Sequence, residues 1–128
     1  MKPITAEWVE KAEEDFLTAN REANAAPRPN NNASVYHSQQ CIEKYLKARL
    51  VEAGLPFPRT HDLARLLNLL LPVEPGWQAY QAPLSGLSAL SINVRYPGLH
   101  ATPTDASQAL QTAADVRRVV RASLGFAA

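Results

Sequence analysis

The stretch Arg95-Tyr96-Pro97-Gly98-Leu99-His100 sets an arginine and a histidine at either end of a Pro-Gly break, with four residues between them. A guanidinium keeps its charge at any physiological pH and matches phosphate oxygens with a fork of N–H donors. An imidazole takes or gives a proton near neutral pH. The pair could therefore hold a phosphodiester and move a proton on it, the minimum needed to cut RNA without a metal. A plainer reading fits the same residues. Arg95 would pair with a core acid such as Asp15, and His100 would sit solvated in a loop.

Further residues carry weaker chemical signals. Lys44, Lys47 and Arg59 are candidate phosphate ligands, although a lysine-bearing helix face is more often simply solvated. His61 follows Thr60 and precedes Asp62, which reads as a structural position at a helix start; His37 carries no assigned role. No histidines and acids share the spacing of a metal site, so neither a metal nor another cofactor is expected. Cys41 is the one cysteine, which excludes an internal disulfide and reads as a packed structural thiol. Arg117, Arg118 and Arg121 lie near the end of the last helical pattern, where cations complement the helix dipole.

The chain that must position these residues has 128 amino acids, enough for one domain, 1–128, with a sizeable core. Apolar residues make up 46% and charged residues 20%, the balance of a globular protein rather than a disordered one. The net charge of +1 gives no global signal for nucleic acid. The charge is unevenly spread: residues 1–26 hold six acids and three bases, and residues 27–128 hold ten bases and six acids. No apolar run approaches the ~20 residues that cross a bilayer, and the N-terminus lacks a signal-peptide core. A cytoplasmic protein with no membrane association is expected.

Hydrophobic periodicity predicts helices throughout. The first runs from Thr5 to about Ala25, with Trp8, Val9, Ala12, Phe16, Ala19 and Ala23 on one stripe and an acidic first turn suited to the dipole. The second runs from about Ala33 to Ala53. Val35, Ile42, Leu46, Leu50 and Ala53 form its core stripe, and Gln39 within that stripe should be buried and hydrogen-bonded. A second strip, Cys41, Tyr45 and Ala48, suggests a face for a partner, and His37, Gln40, Lys44 and Lys47 form a polar face. Thr60 should cap a short helix from His61 to Leu71. A fourth block, Gly76 to Val94, should kink or split at Pro83. The last helix starts at Thr102 or Thr104, where Thr102-Pro103-Thr104-Asp105 offers a capping box, and stops at Gly125. The sum is an all-α, up-and-down antiparallel bundle of four main helices plus a short helix.

Four fragments in this order also carry a family resemblance. They are Trp8-Val9-Glu10-Lys11-Ala12-Glu13-Glu14-Asp15-Phe16, the run from His37 to Ala48 (HSQQCIEKYLKA), Arg59-Thr60-His61-Asp62-Leu63, and Arg95-Tyr96-Pro97-Gly98. Over nearly its whole length the chain resembles the HEPN domain family, in particular the stand-alone type encoded beside a minimal nucleotidyltransferase. The resemblance implies a helical bundle that forms a homodimer. It implies one of two roles. The first is a binding subunit of a nucleotidyltransferase in a toxin–antitoxin-like system, taking nucleotide or RNA. The second is a metal-independent endoribonuclease whose arginine and histidine, here Arg95 and His100, meet at a dimer cleft. Ribonuclease members carry a polar residue after the arginine and a tyrosine two places after the histidine; this chain has Tyr96 and Thr102 there.

Overall fold

The computed structural model describes residues 1–127. Helix α1 spans Pro3–Ala23. Proline is suited to a first helical turn, whose N–H groups have no intrahelical partner, so the helix begins earlier than the apolar pattern suggests. Its first turn then holds no acid, and the expected acidic first turn is absent. Val9, Ala12 and Ala19 are buried, while Trp8 and Phe16 pack half-buried along the edge of the core.

Helix α2, Asn31–Glu52, is the centre of the molecule. The Asn30 side chain caps it by accepting from the Ala33 amide at 3.1 Å. It packs against α1 and against all three later α-helices, so it is covered on nearly every side. Twelve of its 22 residues are buried, which explains why no single apolar stripe dominates it. Gln39 is buried as expected, donating to the His61 carbonyl at 2.8 Å. The strip Cys41, Tyr45 and Ala48 is fully buried inside this chain. It therefore offers nothing to a partner, and that expectation is corrected.

Helix α3, Leu63–Leu70, is shorter than the sequence suggests, and Asp62 rather than Thr60 caps it. The Asp62 carboxylate accepts from the amides of Ala64 and Arg65, while the Thr60 hydroxyl accepts from the Asp62 amide one step earlier. The four leucines Leu63, Leu66, Leu67 and Leu70 are buried. A 3-10 turn over Pro75–Tyr80 leads into α4, Gln81–Asn93. The break thus falls before Pro83. As the third residue of α4, Pro83 sits where its missing N–H costs no hydrogen bond.

Helix α5, Pro103–Leu124, begins with the predicted capping box: Thr102 Oγ1 accepts from the Asp105 amide at 3.0 Å and Asp105 Oδ2 accepts from the Thr102 amide at 2.9 Å. It ends at Gly125, whose φ of 85° lies in the left-handed region that glycine enters without strain. Ala106, Ala109, Ala113, Val116 and Val120 are buried, and the small alanines let α5 approach α2 closely. The architecture is the all-α up-and-down bundle of four main helices and a short one, with no strand among the described residues. No described helix is long and apolar enough to cross a membrane.

Candidate functional site

Residues 94–102 connect α4 to α5 and carry both chemical residues. The connection is a run of tight turns: the amides of Arg95, Tyr96 and Leu99 donate to the carbonyls of Ile92, Asn93 and Tyr96. Gly98, at φ 85°, supplies a left-handed step that a side chain would strain. At its far end, Asn32 Oδ1 of α2 accepts from the Ala101 amide at 2.7 Å, which pins the loop to the bundle. The segment is therefore anchored at both ends, yet Arg95, Tyr96, Leu99 and His100 are exposed.

The guanidinium of Arg95 lies 5.0 Å from the ring centroid of Tyr36 on α2. Stacking of this kind holds the side chain without consuming its N–H donors. Asp15 does not pair with it. The Asp15 carboxylate instead binds His37 Nδ1 at 2.8 Å and Lys44 Nζ at 2.5 Å. The plainer reading of Arg95 is thus corrected, and His37 gains a structural partner that its position alone did not reveal. Arg95 and His100 line two different pockets of one protomer. Arg95 borders a pocket of about 530 Å³ with Gln39, His61, Ser88 and Ser91. His100 borders another with Glu22, Arg28 and Asn30 to Asn32.

The other candidate phosphate ligands divide. Lys44 is held by Asp15. Lys47 is buried; its ammonium binds Glu43 Oε2 at 3.0 Å and lies 5.7 Å and 5.8 Å from the ring centroids of Trp8 and Phe57. Arg59 is exposed, with no side-chain hydrogen bond among the described residues. The polar face of α2 is therefore a set of internal ion pairs more than a solvated surface.

Arg117 and Arg121 are also drawn inward. Arg117 clamps Glu13 of α1 through Nε and Nη2, both at 2.7 Å, and Arg121 Nη1 approaches the same carboxylate at 3.3 Å. The Tyr45 hydroxyl donates to Glu13 at 2.6 Å. Burial alone would push the Glu13 carboxyl up, but the bonds from Arg117 and Tyr45 outweigh it and hold the carboxyl below its ordinary range. Burial and the hydrogen bond to Glu13 push the Tyr45 phenol upward. Arg121 lies in the last turn of α5, where it complements the dipole as expected, and also reaches Glu13; Arg117 lies earlier in the helix and is explained by its bond to α1. Arg118 stays on the surface beside Asp115.

Comparison with known proteins now bears on the whole chain. The HEPN domain family model matches residues 5–123. The chain belongs to the HEPN family. A relative named "Putative toxin MJ1304" from Methanocaldococcus jannaschii is 34% identical over 73 residues, which is 56% of this chain and 46% of that protein. The chain thus spans less than half the length of that relative. No solved structure matches. Against this HEPN framework, sequence reasoning missed one feature beside Arg95: His61 Nδ1 meets Glu43 Oε1 at 2.9 Å while the His61 side chain is 76% exposed. The spacing of Glu43 and Lys47 is visible as a helical i,i+4 pair. Nothing in the sequence shows that the residue before the α3 cap folds back onto it.

Proposed function

We propose that this HEPN protein is the toxin-side binding subunit of a toxin–antitoxin-like pair whose partner is a minimal nucleotidyltransferase, and that it holds a phosphate of RNA or nucleotide through Arg95. The observation that carries the reading is the state of Arg95. Its guanidinium is exposed, stacked on Tyr36, and bound to no carboxylate among the described residues. Arg117, by contrast, is committed to an internal acid. An arginine oriented by an aromatic face with its donors open is prepared for a phosphate. The name of the relative supports the toxin side of the pair.

A second reading is a metal-independent endoribonuclease that works as a homodimer. What favours it is that Arg95 and His100 both stand exposed on one anchored connection. Their separation into two pockets of one protomer means that a second copy would have to bring an arginine of one chain to a histidine of the other. His100 would take the proton from a ribose 2′-hydroxyl, and the oxygen would attack the adjacent phosphorus. Arg95 would stabilise the charge gathering on the phosphoryl oxygens. The 5′-oxygen would leave with a proton taken from water, and a 2′,3′-cyclic phosphate would remain. Acid–base help of this kind contributes about 10²–10⁴ in rate.

Two experiments separate the readings. Purified protein is incubated with RNA in chelator, as wild type and as His100→Ala. Cleavage that His100→Ala abolishes establishes the nuclease; no cleavage by wild type removes that reading. Co-expression with a nucleotidyltransferase encoded beside the gene tests the first. A partner that does not co-purify, together with RNA binding unchanged by Arg95→Ala, removes it.

A further inference from the structure

We infer that the pocket between α2, α3 and α4 is a binding site for a single phosphate group, in which His61 acts beside Arg95. The inference rests on Arg95 being a phosphate ligand and adds the residues that would complete the site.

Three observations meet there. The first is the Glu43–His61 pair. A carboxylate only accepts hydrogen bonds, so His61 donates through Nδ1 and leaves Nε2 for a ligand. Glu43 is 5% exposed and fixed by Lys47, so the imidazole is oriented from behind by a buried anion while its own side chain reaches solvent. Carboxylate–imidazole pairs of this kind set the ring for work at its other nitrogen. The second is Arg95, which borders the same pocket as His61. The third is Ser91. It is 1% exposed, it borders the pocket, and its hydroxyl has no hydrogen-bond partner. Buried hydroxyls almost always find partners, and a serine within a helix can bond back to the preceding turn. Ser91 does not, so its hydroxyl is left for something that enters the pocket. Ser88 stands beside it but is already engaged with the Leu63 amide and Gln39.

The charges limit what fits. Glu43, behind His61, is balanced by Lys47, so Arg95 and His61 face one lining carboxylate, Asp62, whose Oδ1 is occupied by the amides of Ala64 and Arg65. Because Asp62 holds those amides, the start of α3 is not itself the anion site. One arginine and one imidazole against one acid suit a phosphate monoester or diester. They do not suit a triphosphate, whose extra charge would have no counterpart.

The test uses the full chain and isothermal titration with inorganic phosphate and adenosine 3′-monophosphate, against adenosine 5′-triphosphate for comparison, with NMR of the His61 ring as a second readout. Both ligands should bind, the triphosphate no more tightly, and the His61 ring signals should move. Arg95→Ala should weaken binding about tenfold or more, the loss expected for a charge-assisted hydrogen bond. His61→Asn and Ser91→Ala should each weaken it several-fold. Ser91→Ala removes a group with no protein partner, so it should fold as wild type. Binding that falls with Arg95→Ala but ignores His61→Asn and Ser91→Ala overturns the pocket while leaving Arg95 as a phosphate ligand. Equal weakening by Arg118→Ala, at a surface arginine outside the pocket, shows diffuse attraction and also overturns it. If neither ligand binds the wild type, the pocket is wrong; an RNA gel shift comparing wild type with Arg95→Ala then judges the reading of Arg95 by itself.

Discussion

Replacing Glu43 with leucine should leave the Lys47 ammonium buried without its anion. The two side chains are 5% and 10% exposed, so water cannot take over the lost contact. Breaking a buried pair from one side costs about 3–5 kcal/mol. Two features pull the value to the lower end. The rings of Trp8 and Phe57 still face the ammonium, at 5.7 Å and 5.8 Å, and such contacts contribute about 0.5–2 kcal/mol. The other partner of Glu43, His61, is 76% exposed and loses little when released. We therefore expect a loss of about 3 kcal/mol, or about 10 °C in Tm for a chain of this size. Lys47→Met should cost less, because His61 still donates a hydrogen bond to Glu43. The double variant Glu43→Leu with Lys47→Met should return to within about 1 kcal/mol of wild type, since well-packed apolar residues replace buried pairs at little cost. Urea unfolding followed by tryptophan fluorescence measures all four proteins, and Trp8 lies beside the pair. The coupling energy from the cycle should be about 2 kcal/mol or more. A Glu43→Leu loss below about 1 kcal/mol, or a double variant as unstable as the two singles summed, refutes the reasoning.

Glu13 should govern part of the acid limb of stability. Its carboxyl is held below the ordinary 4.5 in the folded chain. A depressed pKa contributes stability that is present above the unfolded value and is lost as pH falls through the folded one. Glu13→Gln should therefore be less stable than wild type at pH 7, and the two should converge in acid; a gap that persists at low pH counts against the Arg117 clamp as its source. Cys41 is buried, and burial, followed by the nearby charges of Glu13 and Asp15, pushes its thiol upward. A thiol reagent should label Cys41 only as fast as the protein unfolds. Rapid labelling of the native protein would show that this part of the core opens locally.

The helices were legible because their signals are local. The capping box at Thr102 and Asp105, the stop at Gly125 and the leucine spacing of α3 each depend on residues within a turn or two. The burial of Gln39 was legible too, since its angular position falls inside an apolar stripe. The errors in how the helices face one another share one cause. Whether Cys41, Tyr45 and Ala48 face a partner or a neighbouring helix depends on how many helices surround α2, which no window of α2 contains. Asp15 with His37 and Lys44, and Glu13 with Arg117, join residues 22 to 104 positions apart. The candidate site was legible as residue types at Arg95 and His100. The position of His61 beside Arg95 was not, because it depends on the α3 cap at Asp62 and on the fold of the whole chain.

The central position of α2 also sets an order of assembly. Seven residues separate α1 from α2, whereas fifty separate α2 from α5. Closing the longer loop costs about 1.7 kcal/mol more in chain entropy, from the logarithmic dependence on length. The α1–α2 hairpin can thus form early, and α5 joins after α3 and α4 have shortened the path between them. Weakening the α1–α2 seam, as at Ala12 or Ala19, should slow folding, and weakening the α2–α5 seam, as at Val116 or Val120, should mainly hasten unfolding. The Glu13–Arg117 clamp belongs to the later step, so it locks the finished bundle rather than starting it.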